Sequence, residues 1–241
     1  MKPALALALR AAAGLAALAV AAGAGWAGYD ALARQPIAAV RFAGDAARVP
    51  AADLERLAAG LRGRQAREVS LQDVREAVNR LAWVRDCSVR RVFPGTLDVT
   101  VEAHVALARW DETRLVSVRG EVFAAEHDGE LPRFSGPEGT GAEMAAAWEG
   151  IRRAAAPLAS PVTELRLSAR RAWQAKLASG LVLELGRADV EARLARFAAA
   201  WPHVADQAAT ATRADLRYGN GFALRGVGAA EDRKAPKGGR A

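Results

Sequence analysis

Residues 11–28, AAAGLAALAVAAGAGWAG, form a run of eighteen positions without a single charge. At 1.5 Å of rise per helical residue such a run reaches about 27 Å, close to the ~30 Å hydrocarbon core of a bilayer. Trp26 and Tyr29 stand where interfacial aromatics anchor a span, and Lys2 and Arg10 precede it, which favours a cytoplasmic N-terminus. Arg34 and Arg41 follow, so the charge asymmetry is modest. The run predicts an uncleaved transmembrane helix over residues 11–29 behind a cytoplasmic tail of residues 1–10. Its Ala- and Gly-rich make-up also fits a cleaved secretory signal, with Ala22-Gly23-Ala24 as the processing site. Under either reading, everything beyond Asp30 is exported.

An exported chain of this length must fold on what its composition offers. Of 241 residues, 51% are hydrophobic and 25% charged, enough for one large or two small domains with real cores. The lone cysteine, Cys87, leaves no internal disulfide, so packing alone must hold the fold. The net charge of +7 comes from basic residues spread along the chain, with no aromatic-basic array, which argues against nucleic acid as a partner. His104, His127 and His203 are isolated, and no paired-Cys or His-x-x-x-His spacing offers a metal site. No Gly-x-Ser-x-Gly elbow or phosphate-cradling loop occurs. The expectation is a protein that is not an enzyme, with no cofactor, metal or small-molecule substrate.

Periodicity supplies the elements. A short apolar strand over residues 37–42 precedes two helices. The first opens at Pro50 and aligns Leu54, Leu57, Ala58 and Leu61; the second opens at Ser70, with Asp73 three positions on, and aligns Leu71, Val74, Val78 and Leu81. A hairpin follows over residues 83–92 and 97–103, its second arm alternating Leu97, Val99, Val101 and Ala103 with polar residues. Beyond His104 come short strands at 106–110, 114–118 and 122–125. Residues 131–139, rich in proline and glycine, read as a loop with no regular element. A helix with Met144, Trp148 and Ile151 on one face leads to strands at 162–167, 172–178 and 181–185. Asp189 then reads as the cap of a helix bearing Val190, Leu194, Phe197 and Trp201, with Arg193 and Arg196 outward and Pro202 stopping it. Strands at 213–218 and 222–224 close the fold across Gly219-Asn220-Gly221, read as a tight turn that uses positive φ. Residues 229–241 carry no apolar side chain larger than Ala or Pro and are expected to be a disordered basic tail.

Strand-helix-helix-strand-strand directly beyond a membrane anchor resembles a POTRA domain, a module that docks partners, often by strand addition. The second half is more specific. Leu131-Pro-Arg-Phe-Ser-Gly-Pro-Glu-Gly139, Ser168-Ala-Arg-Arg-Ala-Trp-Gln174, Leu183-Glu-Leu-Gly-Arg187 with Arg193-Leu-Ala-Arg-Phe197, and Asp215-Leu-Arg-Tyr-Gly-Asn-Gly221 occur in one order. Together they resemble the FtsQ/DivIB family of bacterial cell-division proteins, of the proteobacterial type, from the anchor to residue 225.

The resemblance implies an α+β fold: one transmembrane helix, a POTRA domain over residues 36–103, and a mixed or antiparallel β-domain with about two helices over residues 104–228. It implies a non-enzymatic scaffold of the inner membrane with its bulk in the periplasm at the division septum. Such a scaffold binds the periplasmic parts of FtsB and FtsL and links early to late divisome proteins. The family usually shows a longer cytoplasmic tail than the ten residues here. A POTRA-bearing transport or outer-membrane assembly component is the competing function, weakened because no series of ten-residue alternating strands follows residue 104.

By the same resemblance the last strand leaves an open edge for a partner strand: Phe222, Ala223, Leu224 and Arg225, with Asn220 and Gly221 at the turn beside it. Four or five net backbone hydrogen bonds, at about 0.5–1.5 kcal/mol each, fall short of the ~8 kcal/mol of a micromolar complex. Side chains must supply the rest. Tyr218 is the expected anchor, since its ring buries a large area while its hydroxyl still finds a partner. Arg217 is expected to pair with an acidic residue of the partner, and Arg196 either joins that pairing or is a solvated helix arginine. Phe222 and Leu224 either flank the added strand or turn into the core.

Overall fold

The computed structural model describes residues 3–33, 35–205 and 210–226. The expected basic tail, residues 229–241, and the first two residues lie outside them.

The chain opens with α1, Pro3–Ala33. The helix is longer than the expected span and begins within what was read as a preceding tail. Its stretch Ala12–Ala31 is long and apolar enough to cross a membrane, with a mean hydropathy of 1.3 and none of it buried. A helix that is apolar all round and uncovered by protein is stable only where lipid replaces a core. The protein therefore carries a single N-terminal helix of the membrane-spanning kind among the described residues.

Two compact units divide the chain between His104 and Val105. Unit 1 contains, after α1, β1 (Ala39–Gly44), α2 (Ala51–Leu61), α3 (Leu71–Asn79), β2 (Val84–Val92) and β3 (Thr96–Ala103). The sheet order is β1-β3-β2, with β1 parallel and β2 antiparallel to β3. Alternation in β3 does what the sequence promised: Leu97, Val99, Val101 and Ala103 are all buried. Leu97, Val99 and Val101 meet Leu54 and Leu61 of α2 and Val74 and Val78 of α3 in one core. Ser70 caps α3, its Oγ accepting from the Asp73 backbone N–H at 3.3 Å, which satisfies one orphan donor of the first turn.

Unit 2 is built on one nine-stranded sheet: β4 (Ala106–Arg109), β5 (Arg114–Ser117), β6 (Val122–Ala124), β7 (Arg133–Ser135), β8 (Val162–Leu167), β9 (Trp173–Leu177), β10 (Val182–Gly186), β11 (Arg213–Asp215) and β12 (Ala223–Arg225). The helices are α4 (Gly141–Ala155) and α5 (Val190–Val204). The order is β12-β11-β10-β9-β8-β7-β4-β5-β6. Most pairs are antiparallel, but β4–β7, β7–β8 and β10–β11 are parallel. Met144, Trp148 and Ile151 of α4 and Leu194 and Phe197 of α5 pack with Leu165, Trp173, Leu183 and Ala214 of the strands. The fold is thus α+β.

Several local expectations are corrected. The segment 131–139 is not devoid of regular structure, since β7 runs through it and joins the two halves of the sheet. Phe134 at its centre is 0% exposed and stacks obliquely on Trp148 with ring centroids 5.2 Å apart. Pro132, Gly136 and Pro137 flank the strand rather than interrupt it. Asp189 precedes α5 in a left-handed conformation (φ 53°) and makes no side-chain cap. Pro202 lies inside α5 and does not stop it. The last two strands are shorter than expected, and residues 216–222 join them as an open loop. Gly219, Asn220 and Gly221 all lack positive φ, so no tight turn forms there.

Candidate docking edge

Among the described residues β12 has one neighbour. It pairs antiparallel with β11 in the register Arg213↔Arg225, Ala214↔Leu224 and Asp215↔Ala223, and its other side ends the sheet. An edge strand presents a row of backbone donors and acceptors to whatever can pair with them, and proteins usually blunt such a row with charge, proline or a cover. Here β12 holds only Arg225 as a charge.

The loop before this edge is organised by one ion pair. Asp215, 4% exposed at the end of β11, accepts from Arg217 Nε at 2.8 Å, from Arg217 Nη2 at 2.6 Å and from the Arg217 backbone N–H at 3.1 Å. These bonds hold the Asp215 carboxyl below its usual range, against the burial that would raise it, and hold the Arg217 guanidinium above its own. The arginine that the sequence reading left for a partner is thus already engaged within the chain, although its side chain remains 61% exposed. Gly186 shapes the same corner: its φ is 81°, and a Cβ there would stand 2.5 Å from Arg193 Nη1 and 3.2 Å from Arg217 Cγ.

The sequence-predicted site residues separate into four groups. Tyr218 is 55% exposed, and Arg217, Asn220, Gly221 and Arg225 also face solvent. Ala223 lies half-buried in the edge strand itself. Phe222 and Leu224 are half-buried against the core, with the Phe222 ring set edge-on to Phe197 at 4.9 Å and 83°. Arg196 lies on α5 at the rim of a pocket of about 490 Å³ lined by Arg193, Phe197, Leu216, Asn220 and Phe222.

That pocket went unread in the sequence. Arg193 was assigned to the outer face of α5, whereas it is half-buried and donates from Nη1 to the Leu185 carbonyl at 3.1 Å. The available signal was the spacing of Arg193, Arg196, Phe197 and Ala200, which puts all four on one helical face. Among the described residues no group of three or more His, Cys, Asp or Glu side chains is arranged to hold a metal ion.

Comparison with known proteins bears on both units. Residues 35–104 match the model of the FtsQ-type POTRA domain, and residues 108–217 match that of the C-terminal region of cell division protein FtsQ/DivIB. The chain is 37% identical over 203 residues to the cell division protein FtsQ of Xanthomonas campestris, covering 83% of this chain and 72% of that one. It is 43% identical over 168 residues to FtsQ of Burkholderia pseudomallei, covering 66% and 67% respectively. For FtsQ of Shewanella oneidensis the identity is 35% over 202 residues, with 83% and 77% covered.

Proposed function

Because this chain belongs to the FtsQ/DivIB family of bacterial cell-division proteins, we propose that it is a non-enzymatic divisome scaffold that binds FtsB, and through it FtsL, by strand addition to β12. The observation that carries this reading is the open side of β12 beside the exposed ring of Tyr218. Backbone pairing along so short a strand contributes only a few kcal/mol net, so an aromatic anchor next to it is what makes a stable complex feasible. α1 holds the scaffold in the inner membrane with its N-terminus cytoplasmic, and the POTRA unit and the β-domain lie in the periplasm at the septum. From there it connects early-arriving to late-arriving division proteins.

The test is co-purification of the full-length chain, in detergent, with the periplasmic segment of FtsB. Wild type, Tyr218→Ala and Ala223→Pro are compared, with circular dichroism as the check on folding. Proline removes a backbone donor from the edge and alanine removes the ring. Capture by wild type and loss with both folded variants supports the reading. Equal capture by all three places the contact elsewhere, and no capture by wild type contradicts the partner.

A further inference from the structure

We propose that the β2–β3 turn of unit 1 lies in the bilayer that α1 crosses, with the Phe93 ring at the boundary between acyl chains and headgroups and Arg64 and Arg67 on anionic phospholipid headgroups; this rests on α1 spanning the membrane and is independent of strand addition at β12. The apolar stretch Ala12–Ala31 has 20 residues, which at 1.5 Å each reach about 30 Å, the thickness of the hydrocarbon core. A span that fills the core places Ala31 at its edge and Tyr29 about 3 Å inside. The ring centroids of Tyr29 and Phe93 are 6.5 Å apart. Helix side chains lean toward the N-terminus, here back into the membrane, so the Phe93 ring stands at most about 4 Å outside the hydrocarbon. That is less than the ~5–7 Å depth of the headgroup layer. Phe93 is 48% exposed, and beyond α1 it is the large apolar side chain of unit 1 that protein leaves uncovered among the described residues. An aromatic ring at this depth suits the interface, where its apolar body meets the acyl chains.

The chain leaving the helix ties a basic loop to the same level. Ala38 donates its backbone N–H to the Gly95 carbonyl at 2.7 Å, Ile37 donates to the Arg64 carbonyl at 2.9 Å, and Ala66 donates to the Gln35 carbonyl at 3.0 Å. Residues 35–38 are thus clasped between the β2–β3 turn and the loop after α2. Gly95 allows the close approach: its φ is 68°, and a Cβ there would stand 2.6 Å from the Pro36 carbonyl oxygen. Gln35 follows Ala33, the last residue of α1, by two positions, so it lies within about 7 Å of the helix end. Arg62, Arg64 and Arg67 are exposed in this loop, and Glu68 is its one carboxylate. Arg62 pairs with Glu55 at 2.7 Å. Arg67 donates to Gln65 Oε1 at 3.2 Å, and neither Arg64 nor Arg67 holds a carboxylate among the described residues. A long apolar stem with a cationic head suits the level of the phosphates, and a pair of such heads favours anionic lipid. A helix alone leaves unit 1 free to swing about its anchor. The ring and the two arginines add contacts off the helix axis and fix which face of the unit turns toward neighbouring proteins.

The experiment reconstitutes the full-length chain into vesicles of phosphatidylethanolamine with phosphatidylglycerol and, separately, of phosphatidylcholine alone. Cys87→Ala removes the one native thiol, a nitroxide label is placed at Val20→Cys, Phe93→Cys or Arg48→Cys, and circular dichroism checks folding. Collisions with oxygen, which concentrates among acyl chains, and with a water-soluble nickel chelate report depth. The Val20 label should lie deep, and the Arg48 label, beyond the far end of β1, in water. The Phe93 label should fall between them, favouring oxygen over the chelate several times more than the Arg48 label does. Adding Arg64→Glu with Arg67→Glu should raise chelate collisions at residue 93 in the phosphatidylglycerol vesicles and change little in phosphatidylcholine. A Phe93 label as wet as the Arg48 label, with Val20 deep, overturns the proposal and leaves the anchor standing. Shielding of residue 93 from both reagents indicates cover by protein, such as a second copy, and overturns it equally. Depth at residue 93 that ignores both lipid charge and the double variant supports the ring in the membrane and overturns the arginine contact. A wet Val20 label overturns the anchor and the proposal together.

Discussion

Asp215 keeps its charge although almost wholly buried, because both of its oxygens take hydrogen bonds from the neighbouring Arg217. Arg217→Ala therefore carries a structural cost that Tyr218→Ala does not. Leaving the buried carboxylate short of its donors should lower stability by about 1–3 kcal/mol. Removing the exposed Tyr218 ring should change stability by less than about 0.5 kcal/mol while weakening partner binding by about 2 kcal/mol or more. Denaturant melts beside binding isotherms separate the two effects. The Asp111 carboxyl is held down to about 2, first by the Thr113 backbone N–H and next by the Arg114 side chain. Its unfolded value is near 4, so the unfolded chain takes up the proton first as pH falls. Stability from this turn is complete above about pH 4 and is lost as pH drops toward 2; Asp111→Asn should flatten that part of a melting-temperature profile. The Asp111-Thr113-Arg114 turn and the Asp215–Arg217 pair are both short-range in sequence, yet neither pairing was read from it. A strand places positions two apart on one face, and that could have revealed the Asp215–Arg217 pair.

At the scale of elements, sequence reading succeeded where one face of an element is buried and failed where local rules met tertiary packing. β3 was legible because four buried residues alternate with polar ones. β7 was hidden because its flanking prolines and glycine outweighed a short strand in local propensity. Its place is fixed by Phe134, by parallel pairing to β8 in the register Phe134↔Leu165, and by the single pair Arg109↔Arg133 with β4. Phe134→Ala should cost about 3–5 kcal/mol, far above a loop substitution, and chemical denaturation would show whether this segment joins the sheet. α5 continues past Pro202 because a proline near a helix end removes few intrahelical bonds, while Trp201 packs onto Phe197 at 5.3 Å. The loop 216–222 was compressed into a tight turn because Gly-Asn-Gly is a strong turn signal. The Asp215–Arg217 pair and the Phe222–Phe197 contact instead spread those residues around the pocket.

For the molecule as a whole, the long apolar N-terminal helix and the strand-helix-helix-strand-strand order were plain in the sequence, whereas the proposed docking site was legible only as a region. Its edge followed from the resemblance, but the pocket beside it depends on how α5 faces the last loop, which hydrophobic spacing alone does not give. The two units have separate hydrophobic cores with no residue in common. Leu165→Ala, in the core of unit 2, should therefore cost about 2–5 kcal/mol there and leave hydrogen-exchange protection of α3 and β3 in unit 1 unchanged. Loss of protection in both units would show that they unfold together. The central claim, that a partner strand completes the sheet, is tested most directly by hydrogen exchange across residues 218–225 of the full-length chain, with and without the periplasmic segment of FtsB. The account predicts that outward-facing amides of β12, exchanging freely alone, become strongly protected in the complex. Protection confined to the POTRA unit or to the helical face, with β12 unchanged, would contradict it.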